Sequence, residues 1–174
     1  MLTLPPLPSW QAIHPLIVHF PIALLLIAPL FVTIGVIRKP ERTSPFFVTA
    51  LILMIIGTLA TFAASSSGDS AGALVQKVPQ IQAVLEQHED LAEATGIVFS
   101  VLTLVFAAVV VGPKLLKREP NPVISRVLPL VFLIFYASGV VLLVNTSHQG
   151  GRLVHEFGVT AGVQPSGPAA VSLD

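Results

Sequence analysis

The sequence contains no cysteine. That absence excludes thiolate metal sites, iron–sulfur clusters and haem attached covalently through cysteine, and it leaves no disulfides as evidence of compartment. Charge is also scarce: Asp, Glu, Lys and Arg make up 10% of the 174 residues, whereas soluble domains carry about a quarter. So few charges do not cover the surface of a water-soluble fold. The charges that exist balance, with nine basic and nine acidic residues, so no basic field points to nucleic acid as a partner. Catalytic signatures are missing too. The run Ser65-Ser66-Ser67-Gly68-Asp69 contains neither a Gly-x-Ser-x-Gly element nor a phosphate-binding Gly-Lys-Ser/Thr pattern, and it reads as a helix end capped by Asp69.

Apolar residues fill the space that charge leaves, at 53% of the chain and a mean hydropathy of +0.86. A helix needs roughly 20 mostly apolar residues to cross a bilayer core. Runs of that kind extend over about 15–37, 45–66, 92–111 and 127–145, with no charged residue before Arg38. Each is apolar all round, as lipid-facing spans are. The expected fold is therefore an all-α membrane protein, one four-transmembrane-helix bundle over residues 1–163, with the bilayer as its first partner. A Pro/Gly/Ala/Ser tail, 164–174, reads as disordered.

The first span lacks a basic leader and is too long for a signal-peptide core, so it reads as a retained helix. Pro15 suits a helix start. Pro21 offers no N–H to the carbonyl near Ile17 and should kink the first turns or delay the helix to about Phe20.

Direction follows from Lys and Arg. Arg38, Lys39 and Arg42 lie between spans one and two, and Lys114, Lys117, Arg118 and Arg126 between spans three and four. The other ends hold only Lys77 and Arg152, beside Asp69, Glu86, Glu89, Asp90, Glu93 and Glu156. The basic loops are expected in the cytoplasm and both termini on the outer side, the periplasm for a bacterial inner membrane. On that outer side, the stretch after Pro79 predicts a short interfacial helix from about Gln80 with Ile81, Val84 and Leu85 buried. Gly150-Gly151 should end or loosen the fourth span. Small residues recur every four positions at Ala60, Ala64 and Gly68 and at Ala92, Gly96 and Ser100. Close helix packing is the favoured reading, with room for a flat ligand as the other.

All five histidines, His14, His19, His88, His148 and His155, fall at the outer ends of these spans. Imidazole is the side chain best suited to hold iron, copper or zinc. His14 and His19 are five residues apart, about 140° around a regular helix, so they face different neighbours. His14 also reads as an interfacial residue bonded to headgroups or carbonyls. His19 lies deeper, where an ionisable group is costly and usually functional. His88 is flanked by Glu86, Glu89 and Asp90, which would orient a ligating ring or simply complement the helix dipole. His155, within Leu153-Val154-His155-Glu156-Phe157, ranks above His148, which is followed by the two glycines. Arg152 suits an anionic group such as a haem propionate, or an ion pair with Glu156.

Two elements, Ile13-His14-Pro15-Leu16-Ile17-Val18-His19-Phe20-Pro21 and Gly150-Gly151-Arg152-Leu153-Val154-His155-Glu156-Phe157-Gly158-Val159, resemble those of a bacterial integral-membrane family, domain of unknown function 2231. The resemblance implies a four-helix membrane unit associated with respiratory and cytochrome-containing modules, and no settled activity. Two function classes stand out. One is a b-type cytochrome, an electron-transfer subunit whose haem b is held by His14, His19, His88 and His155, with Arg152 or Lys77 at the propionates, Ala64 and Gly96 making room, and c-type cytochromes or other respiratory subunits as partners. The other is a bare Cu, Zn or Fe site drawn from His14, His19, His88, His148 and His155. The spans carry no polar chain for a transport path, only scattered Thr and Ser. A third reading keeps the histidines as an outer-face hydrogen-bond network in a structural subunit. Nothing marks an enzyme acting alone.

Overall fold

The computed structural model describes residues 8–38, 44–75, 78–117 and 121–160. Lys39, Arg42, Lys77, Arg118 and the tail 164–174 lie outside the described residues. The helices are α1 (His14–Ile17), α2 (His19–Ile37), α3 (Ser44–Gly72), α4 (Pro79–Leu115) and α5 (Pro122–His155). Four segments, His14–Ile37, Pro45–Gly72, Pro79–Pro113 and Pro122–His155, are long and apolar enough to cross a membrane.

The first span breaks where its prolines require. Val18 separates α1 from α2. Pro21 has no N–H for Ile17, and the next amide, Ile22, reaches Val18 O at a long 3.4 Å. The other three helices outrun the expected spans. The predicted separate interfacial helix at Gln80 is instead the first turns of α4, because no glycine or proline interrupts the chain until Gly96. Helix α3 does not stop at Ser65–Asp69 but continues to Gly72, with two serine hydroxyls returning a bond to their own helix: Ser67 Oγ donates to Ala64 O and Ser70 Oγ to Ser66 O.

Gly150 and Gly151 do not end α5 either. The helix stops at His155, and Gly158, with φ of +63°, makes the turn: Val159 N–H bonds Leu153 O and Gly158 N–H bonds Val154 O. This is a Schellman-type close, in which glycine takes the left-handed position without a Cβ penalty.

Helix α2 packs on α3, α3 on α4, α4 on α5, and α5 closes the ring on α2. The result is an up-and-down four-helix bundle. Its core holds Leu25, Ala28, Val32, Met54, Phe99, Phe106, Phe132 and Tyr136. Phe106 stacks on Phe132 at 4.7 Å between centroids, and Phe99 meets the edge of Tyr136 at 5.4 Å. The outward surface is apolar, with Leu104, Ile134 and Leu59 among its exposed side chains, as lipid contact requires. Hydroxyls buried between helices find partners across the interface: Thr58 Oγ1 and Thr103 Oγ1 are 2.9 Å apart, and Tyr136 donates to the backbone Leu25 O at 2.8 Å.

Candidate functional site

One end of the bundle gathers the start of α1, the end of α3, the start of α4 and the end of α5. Cross-helix contacts fix the levels. Thr58 meets Phe99 O and Thr103 on α4, Gly96 faces Thr61, and Gly72 faces Leu85 and Glu89. Gly68, one turn before Gly72, is therefore level with the turn that follows His88. His14 lies against Gly68 and His88 against Gly150. The two imidazoles thus occupy the same layer, within electrostatic reach of each other.

Each ring is held in the same way. His14 Nδ1 donates to Ala64 O at 3.0 Å, with Ser67 Oγ also at 3.0 Å. His88 Nδ1 donates to Thr146 O at 2.9 Å. In both cases a glycine four residues after the carbonyl lies under the ring. A methyl group at Gly68 would stand 3.0 Å from Cε1 of His14, and one at Gly150 would stand 3.0 Å from Cε1 of His88. The hairpin α1–α2–α3 and the hairpin α4–α5 therefore repeat one device: a histidine near the start of the first arm, anchored on a carbonyl-x-x-x-glycine element of the second arm.

The chemistry follows from the acceptors. A carbonyl oxygen only accepts, so each Nδ1 carries the proton and each Nε2 keeps a bare lone pair. Among the described residues neither Nε2 has a protein hydrogen-bond partner. Such anchoring of the far nitrogen by a backbone carbonyl is how proteins orient ligating imidazoles.

The other expected residues are placed elsewhere. His19, His148 and His155 are exposed on the bundle surface. His14 is half-buried against α3 and His19, beyond the break at Val18, is exposed. Arg152 donates through Nε to Glu156 at 3.0 Å and through its Nη1 to Gln149 Oε1 at 3.0 Å, which is the ion-pair role. That hydrogen bond holds the Glu156 carboxyl below the usual carboxylate range. Ala64 belongs to the site as an anchoring carbonyl. Gly96 has only Thr61 and Phe62 nearby, at 3.8 and 3.9 Å, which is ordinary packing. Among the described residues, no three His, Asp or Glu side chains gather to hold a metal ion.

Ser67, Gly68, Thr146 and Gly150 are the members that residue chemistry alone did not mark as site residues. Gly68 stood out only as part of a small-residue pattern. Thr146-x-x-x-Gly150 has the same small-x-x-x-small form, and a search for that spacing opposite each histidine finds both anchors.

Comparison with curated proteins and with solved structures finds no match. A family model described as "Predicted membrane protein (DUF2231)" matches residues 11–162, most of the chain and both histidine-bearing elements, so the chain belongs to the DUF2231 family of predicted membrane proteins.

Proposed function

We propose that the protein is a membrane-embedded b-type haem protein in which His14 and His88 would hold the haem. The observation that supports this most directly is the repeated anchoring of two imidazoles in one layer of the bundle, each with Nδ1 held by a carbonyl and Nε2 free. Haem b in a membrane bundle takes two imidazoles from different helices, one on each side of the iron. The donor set fits that need: the rings come from opposite hairpins, and their tautomer is the ligating one. Helix α1 packs on α3 and α2, which sets His14 against α3, while His88 lies against α5. When bound, haem would supply a one-electron ferric/ferrous couple.

The charge distribution supports a periplasmic position for this layer in a bacterial inner membrane, with the basic loops in the cytoplasm. Respiratory subunits, c-type cytochromes among them, are the partners such a position would suit. A bare Cu, Zn or Fe site is less favoured. Ions of that kind take three or more protein ligands in most sites, and among the described residues no three His, Asp or Glu side chains gather.

The test is spectroscopic. Protein purified in detergent with haem available during expression should show a Soret band and, after dithionite, sharp α and β bands. His14→Ala and His88→Ala should each lose the bands, while His19→Ala, His148→Ala and His155→Ala keep them. A colourless protein carrying stoichiometric copper or zinc overturns the haem reading. Loss of the bands on replacing an exposed histidine overturns the ligand assignment.

A further inference from the structure

We infer that the chain is a fused dimer: two copies of one histidine-bearing helical hairpin, α1–α3 and α4–α5, related by a half-turn about the bundle axis, with His14 and His88 as equivalent positions. Nothing in this depends on what the histidine layer binds.

The registers of the two hairpins carry it. In the first, His14 lies against Gly68, Leu25 against Gly57 and Phe47 against Gly35. Eleven residues on from His14 along one arm are eleven back from Gly68 along the other. In the second, His88 lies against Gly150 and Phe99 against Gly139, again eleven on and eleven back, and seven further Phe106 stacks on Phe132. One shift of 74 residues therefore carries His14 and Leu25 onto His88 and Phe99. One shift of 82 carries Gly57 and Gly68 onto Gly139 and Gly150, the second connection being eight residues longer.

Burial follows the same shifts. Leu25, Ala28 and Val32 of α2 fall on Phe99, Leu102 and Phe106 of α4, and all six are buried. Ala50, Met54, Gly57 and Ser67 of α3 fall on Phe132, Tyr136, Gly139 and Gln149 of α5, again all buried. A shared helical period aligns some buried positions on its own. It does not bring a histidine, the glycine where the arms cross and the glycine under the ring into register together. At both crossings glycine lets the arms approach: a Cβ at Gly57 would stand 2.8 Å from Leu25, and one at Gly139 3.0 Å from Leu102.

Helices α2 and α4 both leave the histidine end, α3 and α5 both return to it, and the ring order sets α2 diagonal to α4 and α3 diagonal to α5. A half-turn then carries the α3–α4 seam onto the α5–α2 seam, as in a twofold dimer whose subunits present the same surfaces. Each hairpin is the partner surface of the other, and neither histidine is auxiliary.

Reciprocal exchange of equivalent core residues tests this in the whole chain. Tyr136 meets both Leu25, through its hydroxyl at Leu25 O, and the ring of Phe99. Leu25→Phe alone overfills the core and Phe99→Leu alone leaves a cavity, so each should lower the unfolding midpoint in detergent by several degrees. The double variant Leu25→Phe/Phe99→Leu places the phenyl ring over Gly57 and should regain at least half of the summed loss. Leu25→Phe/Phe106→Leu keeps the same volume but joins positions that are not equivalent, and should regain none. A double variant at 25 and 99 that loses the full sum, or equal recovery in the control, overturns the equivalence. The rings themselves give a second reading in histidine-labelled protein prepared without haem, where His14→Ala and His88→Ala assign the two Nδ1–H resonances. Gly68→Ala should move the His14 resonance as far as Gly150→Ala moves that of His88, and a change confined to one hairpin overturns the proposal.

Discussion

A histidine has two nitrogens, and which one is engaged decides what the other can do. In this bundle a backbone carbonyl takes the Nδ1 proton of His14 and of His88, and the glycine one turn later lets each ring lie flat on the neighbouring helix. Glycine in a helix interior costs about 1 kcal/mol relative to alanine, so its presence under both rings needs a compensating contact. Gly150 and Gly151 allow that idea to be tested side by side. A methyl group at Gly150 would press on His88 Cε1 at 3.0 Å, whereas one at Gly151 meets nothing within 4 Å. Gly151→Ala should raise thermal stability in detergent by up to about 1 kcal/mol and leave haem binding unchanged. If His88 holds haem as proposed, Gly150→Ala should weaken haem binding by about tenfold or more, the usual size of losing a ligand's orienting contact, without loss of folded protein. Haem titration of both variants, followed at the Soret band, reads the difference. Equal affinities would remove the positioning role from Gly150.

At the scale of the helices, polar residues scattered along apolar spans turn out to be paired. Thr58 and Thr103 bond across the α3–α4 interface at 2.9 Å, and Thr95 bonds Thr146 across α4–α5 at 2.8 Å. In hydrocarbon an unpaired hydroxyl is costly, but such pairs add little net stability because the separated helices also find partners. A double-mutant cycle of Thr58→Val and Thr103→Val, measured by reversible unfolding in mixed micelles, should therefore give a coupling of about 0.6 kcal/mol and not exceed about 1.7. A larger value would mark this pair as more than helix packing.

The same scale shows what was legible in the sequence. Hydropathy alone found four spans, and Pro21 announced the break at Val18. The helix ends were not legible. Serines at 65–67 and glycines at 150–151 look like stop signals, yet they lie inside α3 and α5 because tertiary contacts made there outweigh local preference: the Ser67 hydroxyl and Ala64 carbonyl receive His14, and Gly150 receives His88. The site was half legible for a related reason. Histidine identity is written in the chain, so the layer was visible, but a backbone carbonyl has no letter. The choice of His14 and His88 over the exposed His19, His148 and His155 appeared only when helices faced each other.

For the molecule as a whole, the direction in which it crosses the membrane decides which aqueous phase the histidine layer meets. The positive-inside tendency counts Lys and Arg near span ends. By sequence, Arg38, Lys39, Arg42, Lys114, Lys117, Arg118 and Arg126 all fall in or beside the connections between spans one and two and between spans three and four, where there is no histidine, so those connections should stay in the cytoplasm. The absence of native cysteine makes the test clean, because any introduced thiol is the only one present. Glu86 and Leu116 are exposed at opposite ends of α4, and replacing either leaves the count of basic residues unchanged. Glu86→Cys should react with a membrane-impermeant maleimide in bacterial spheroplasts, and Leu116→Cys only after lysis. The reverse pattern would turn the histidine layer to the cytoplasm and, with it, the partners proposed for the site. Labelling of both positions in sealed spheroplasts would mean a mixture of orientations, which a bias of seven basic residues against Lys77 and Arg152 argues against.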